Sequence, residues 1–197
     1  VIYSCKKTLD DGFILGGTST SASSGDKSEN NMGLSATTDY WIVKIDNIGN
    51  IVWQNTVGGS GTEYIYSSTF TSDGNFVLGG YSSSNKNGDK NENCFGGFDY
   101  WVVKIDTLGN IAWQNTIGGG GDDVLWTIAH SQDGGYVLGG RSESNIGGDK
   151  TENSNGVYDF WVVKIDSLGN IVWQNTLGGN DQDWLYSIVP TLEGGYL

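Results

Sequence analysis

Short apolar runs broken by glycine, asparagine and aspartate punctuate the whole chain, and none keeps a 3.6-residue period over the length of a helix. In "DYWVVKID", which begins at Asp99, Trp101, Val103 and Ile105 fall on one face of an extended strand, and Tyr100, Val102 and Lys104 on the other. Both faces are largely apolar, so this strand is predicted to lie in a sheet covered on both sides. Three further segments complete the unit: "YIYSSTF", "VLWTIAH" or "WLYSIVP" as a first strand, with the opening "VIYSCKK" as the same element, "FVLGG" or "YVLGG" as a second, and "NIAWQNT" as a fourth after the DYW segment. The aromatics Tyr66, Trp126 and Tyr186 alternate along the first strand and are expected in the core.

The unit recurs. The stretch from Asp39 matches the stretch from Asp99 at 17 of 23 positions, and a third copy starts at Asp159. Trp41, Trp101 and Trp161 are sixty residues apart, as are Trp53, Trp113 and Trp173. Such a period marks a repeat architecture. Four strands in about 60 residues predict an all-β fold, a β-propeller of which about three four-stranded blades are present. The blades are placed at 1–62, 63–122 and 123–182, with 183–197 opening a fourth. A β-solenoid, or a sandwich or stacked sheet, is the alternative. A ring of about four to eight blades needs more copies, so the remaining blades are expected in the same, longer chain.

The turns carry a mechanism. Asp46, Asp106 and Asp166 can accept hydrogen bonds from turn amides, and Gly49, Gly109 and Gly169 can take the positive φ that a three-residue hairpin requires. The paired glycines that close the second strand, Gly79-Gly80 and Gly139-Gly140, are expected to admit a close backbone or a large ring, tryptophan being the candidate. Strand polarity puts the two short turns at one end of each unit and the two longer connections at the other. The longest connection carries "GDKSEN", "GDKNEN" or "GDKTEN", so this motif is expected to decorate one rim, once per blade.

Composition narrows the chemistry. A net charge of −13 repels phosphate backbones, which excludes nucleic acid as a natural partner. No apolar run approaches the roughly 20 residues that span a bilayer, so no membrane insertion is expected. Cys5 and Cys94 sit at non-equivalent places in the repeat, and His130, the single histidine, replaces Phe70 and Pro190 of the other copies. No nucleophile–base arrangement can be built on that histidine, and the obvious carboxylates recur in every copy, which points to architecture rather than catalysis. The motif offers hard oxygens for Ca²⁺ from Asp26, Glu29 and Asn30, from Asp89, Glu92 and Asn93, and from Asp149, Glu152 and Asn153. The opposing reading makes the Asp and Asn caps of their own loop and leaves Lys150 and Glu152 solvated. Phe95 and Tyr158, with Asp122, Asp123, Asp181 and Asp183, are the candidate binding-face residues, the aromatics being suited to stacking on sugar rings.

The segment "DGGYVLGG…DFWVVKIDSLGNIVWQNTLGG" resembles the tandem repeats of secreted Bacteroidetes proteins that often carry a type IX secretion sorting domain, and it is similar to kelch and delta-sixty propeller repeats. The resemblance spans essentially the whole chain and implies a secreted or cell-surface protein. It supplies no catalytic residues. The expected function is a non-enzymatic binding or adhesion module that meets a glycan or protein through its loop face, with no cofactor beyond a Ca²⁺ ion. A polysaccharide lyase or hydrolase, and a structural spacer of a surface protein, are the alternatives.

Overall fold

The computed structural model describes residues 1–33, 36–191 and 193–197. Among these, twelve strands form and no helix. The first sheet comprises β1 (Ile2–Lys7), β2 (Phe13–Ser19), β3 (Asp39–Ile45) and β4 (Ile51–Val57). The second comprises β5 (Glu63–Phe70), β6 (Phe76–Ser82), β7 (Asp99–Ile105) and β8 (Ile111–Ile117). The third comprises β9 (Asp123–His130), β10 (Tyr136–Ser142), β11 (Asp159–Ile165) and β12 (Ile171–Leu177). Each sheet keeps its strands in chain order, and every pairing is antiparallel. The expected first strand "WLYSIVP" is corrected: the described residues of 183–197 form no strand, but Leu185 and Ile188 pack beside Val137 on the third sheet.

The third strand of each unit shows why the sheets stack. On β7, Trp101, Val103 and Ile105 enter a core shared with Ile14, Tyr40 and Ile42 of the first sheet. From its other face, Tyr100 and Val102 enter a core shared with Trp161, Val163 and Ile165 of the third. One strand therefore serves two cores, as its two apolar faces require, and each fully buried large side chain stabilises by roughly 1.5–3 kcal/mol. Two further links repeat at each junction. The Tyr40 hydroxyl donates to the Trp101 carbonyl at 3.1 Å, and Tyr100 to that of Trp161 at 3.0 Å. The Trp53 indole N–H donates to the Thr107 carbonyl at 3.0 Å, and Trp113 to that of Ser167 at 3.2 Å.

The hairpin turns form as their residues dictate. Asp106 Oδ1 accepts the amides of Leu108 and Asn110 at 2.9 and 2.8 Å, and Gly109 sits at φ 90°. Asp46 and Asp166 do the same, and the side-chain amides of Asn50, Asn110 and Asn170, ahead of these main-chain bonds, hold all three carboxyls below the usual carboxylate range.

The paired glycines admit a close backbone, as expected, but not the tryptophan ring. A Cβ on Gly79 would meet Ile128 of the next sheet at 2.4 Å, and one on Gly80 would meet the Tyr64 carbonyl at 1.7 Å. No tryptophan is involved; the rings of Trp53 and Trp113 lie instead on the turn glycines Gly109 and Gly169. The close carbonyl reflects a bulge in every first strand, where register slips at Tyr3, Tyr66 and Trp126. These aromatics are consequently thrown off the core face. Tyr66 and Trp126 are half-buried and Tyr186 is 62% exposed, which corrects their assignment to the core.

The three sheets succeed one another face to face in a β-propeller-like arrangement, without closing a ring.

Candidate functional site at the loop face

The described residues of the long loops, 20–33 with 36–38, 83–98 and 143–158, lie beside the links 58–62, 118–122 and 178–182 that join one sheet to the next. The contact is specific. The Asp89 amide donates to the Gly58 carbonyl at 2.9 Å, and the Gly61 amide to Ser84 Oγ at 2.7 Å. One unit on, the Asp149 amide donates to the Gly118 carbonyl at 2.8 Å and the Gly121 amide to Ser144 Oγ at 2.9 Å. The loops thus form one connected surface.

Within it the GDKxEN motif is a clamp on its own sheet. Lys90 is only 2% exposed; its ammonium donates to the Thr116 hydroxyl and, at 3.0 Å, to the Glu92 carbonyl, and stands 6.0 Å over the Trp101 ring. Glu92 Oε2 accepts the Thr116 amide at 2.7 Å. Gln114 completes the grip: its oxygen accepts the Trp101 indole N–H at 3.1 Å, and its amide group donates to the Asp89 carbonyl at 2.6 Å. Asn93 Oδ1 accepts the Lys86 amide at 2.9 Å, and Asp89 Oδ2 the Gly58 amide at 3.3 Å. Lys27, Glu29 and Asn30 repeat these bonds, and Lys150, Glu152 and Asn153 repeat those to Thr176 and the Ile146 amide. The expectation of a solvated Lys150 is corrected, since Lys150 is 2% exposed; Glu152 is exposed as expected, though its carboxylate also holds the Thr176 amide at 2.6 Å. Burial lowers the pKa of Lys90 and Lys150.

The same bonds decide the fit to Ca²⁺. Glu29, Glu92 and Glu152 each hold a main-chain amide, the three asparagine oxygens do likewise, and the cation at the centre of the motif is its own lysine. Asp26 lends the clamp its carbonyl, to Gln54 at 2.5 Å. The donor set does not fit a calcium ion, and no group of three or more acidic, cysteine or histidine side chains suited to a metal occurs among the described residues.

Beneath the clamps lies a feature that composition alone did not reveal. Asp39 and Glu63, wholly buried and from adjacent sheets, share one junction, and Asp99 and Asp123 share the next. Asp123 Oδ2 accepts the Gly119 amide at 2.7 Å and the Ser144 hydroxyl at 2.9 Å, and Asp99 Oδ2 the Phe95 amide at 2.5 Å. Burial, ahead of the neighbouring carboxylate, raises Asp39 and Asp123 to about 7, and burial alone raises Asp99 to about 6. Oδ1 of each of these aspartates has no hydrogen-bond donor.

Of the binding-face residues, Asp122, Asp123 and Asp183 commit carboxylate oxygens to the amides of Phe98, Gly119 and Gly179. The Asp181 carbonyl accepts the Val157 amide at 3.1 Å. Phe95 is different. It is 51% exposed, its ring lies against Gly148 of the next unit, and it separates two recesses of about 400 and 390 Å³. One is bounded by Glu143, Asn145 and Ile146, the other by Lys86, Asn91 and Asn115. Tyr158 lies elsewhere, under the guanidinium of Arg141 at 3.9 Å. His130 meets the edge of Tyr136 at 5.7 Å, much as Phe70 meets Phe76 at 4.9 Å, so it occupies a packing position. Cys5 and Cys94 are both free thiols.

No protein-family model matches the chain, and no curated protein matches it. Among solved structures it is similar to Sqt1 from Chaetomium thermophilum, at 15% identity and a TM-score of 0.43, covering 98% of this chain. The chain spans 39% of the length of that protein.

Proposed function

We propose that the chain is part of an extracellular β-propeller that serves as a non-enzymatic binding module, meeting a glycan or protein partner at its loop face. The observation that carries this reading is Phe95, a half-exposed ring between two recesses on a surface whose motif polar groups are otherwise committed to internal bonds. A rigid frame presenting a half-exposed aromatic between polar-edged hollows is the arrangement that recognition surfaces use. The acidic surface and the resemblance to secreted tandem repeats support an extracellular setting.

Glycan arrays and cell-surface pull-downs with the wild-type chain and Phe95→Ala test it. Binding by the wild type that Phe95→Ala reduces at least tenfold, at unchanged melting temperature, supports the reading. Empty arrays and pull-downs, or binding indifferent to the substitution, overturn it in favour of a structural spacer.

A further inference from the structure

The bulges described above push one aromatic per unit out of the core, and the rings they release are gathered rather than scattered. Tyr3 meets Tyr66 edge-on at 5.1 Å, and Tyr66 and Tyr64 lie within 6.0 and 5.3 Å of Tyr81. Farther along, Trp126 stacks on Tyr186 at 4.7 Å and on Trp184 at 5.4 Å. Arg141 stands between the groups: its guanidinium lies 3.9 Å over Tyr158 and 5.8 Å from Trp184, and its charge is felt by Tyr66.

Arg141 is the single arginine of the sequence and takes the place of Thr18 and Tyr81 in the earlier copies. Its Nη1 is buried and has no hydrogen-bond partner, and no carboxylate pairs with it among the described residues. A buried guanidinium N–H without an acceptor is costly, and a planar fork held flat on an aromatic ring is set for a carboxylate.

We infer that this aromatic–arginine surface binds an oligosaccharide carrying a single carboxylate, a uronic-acid unit on a short neutral chain. A pyranose shows C–H groups on its face and hydroxyls on its rim; the electron-rich faces of aromatic rings attract the former, and Arg141 forks the carboxylate. Several ring faces on both sides of one cation match a ligand of several sugar units with one charge. The net charge of −13 disfavours a polyanion such as a sulfated or polyuronic chain, because each added charge approaches a repelling surface. This site does not include Phe95 and stands without the loop-face reading.

Calorimetric titration of the chain tests the inference with three probes: xylotriose, a xylobiose bearing one glucuronic acid, and heparin. The acidic trisaccharide is expected to bind at least tenfold tighter than xylotriose, and heparin more weakly than either. Arg141→Ala and Trp126→Ala should each weaken it at least tenfold, while Phe95→Ala leaves it within twofold. Arg141→Lys keeps the charge without the fork and should lose most of the preference for acid, giving a readout if the alanine variant does not fold. Equal affinity for acidic and neutral probes, no binding of any, tightest binding of heparin, or full affinity in the Arg141→Lys and Trp126→Ala variants would overturn it.

Discussion

The hydroxyl of Tyr100 crosses from the second sheet to the third and donates to the main-chain carbonyl of Trp161, with both side chains wholly buried. Tyr40 and Trp101 repeat this link one unit earlier, 61 residues apart in sequence as in the later pair. The junction between sheets is therefore directional as well as apolar, and Tyr100→Phe isolates its polar part. Losing one buried hydrogen bond costs about 1 kcal/mol, a fall in melting temperature of about 2–4 °C, which calorimetry should resolve.

Lys90 gives a larger effect. Lys90→Ala removes the donor to Thr116 and Glu92 and leaves a void over Trp101, for which about 3 kcal/mol is expected. Denaturant unfolding should place Lys90→Ala well below Lys86→Ala, whose side chain is on an exposed residue. Equal midpoints would show that the clamp contributes nothing.

At Gly140 the limit is backbone against backbone. A Cβ there would stand 2.0 Å from the Val124 carbonyl, and no rotamer relieves it. Gly140→Ala should cost more than 4 kcal/mol or prevent folding, whereas Gly120→Ala, where a Cβ meets nothing within 4 Å, should be nearly silent.

The buried acids fix the sign of the pH response. Asp39 and Asp123 are raised to about 7 and Asp99 to about 6, so the folded chain binds these protons more tightly than the unfolded chain. Their contribution is fully present below about pH 4 and is lost as pH rises through 6 to 7. Asp10, Asp73 and Asp133 are lowered to about 2 and act oppositely, losing their contribution as pH falls below about 4. The melting temperature should peak near pH 4–5 and decline towards pH 8. Asp123→Asn should flatten that decline, and an unchanged slope in the variant would contradict the assignment.

Because lysine occupies the centre of each GDKxEN clamp, chelation should leave the melting temperature unchanged within about 1 °C. A drop of several degrees in EDTA that calcium alone restores would restore the calcium reading.

The strands, the hairpin turns and the two-faced character of β7 were legible in the sequence because each follows from local rules: alternation, an Asp–Gly turn, a sixty-residue period. The facing of the aromatics on the first strands was not. Strict alternation assumes an unbroken register, and a single bulge moved Tyr66 and Trp126 from core to surface without any mark in their own residues. Nor was the fate of Lys90 visible, since lysine is rarely buried and its side-chain acceptor, Thr116, lies on a strand 26 residues away. Arg141 carried one signal, its departure from Thr18 and Tyr81 in the other copies, and symmetry breaking of that kind is where a repeat sequence most repays inspection.

Both junctions between the three sheets are written with the same few pairings at the same separations, Tyr to Trp carbonyl at 61 and Trp to turn carbonyl at 54. A gene-level duplication or loss of one sixty-residue module would therefore rejoin compatible faces without new contacts having to arise. Lineages can lengthen or shorten such a protein by recombination alone, leaving point mutation free to diversify single positions on an already working lattice.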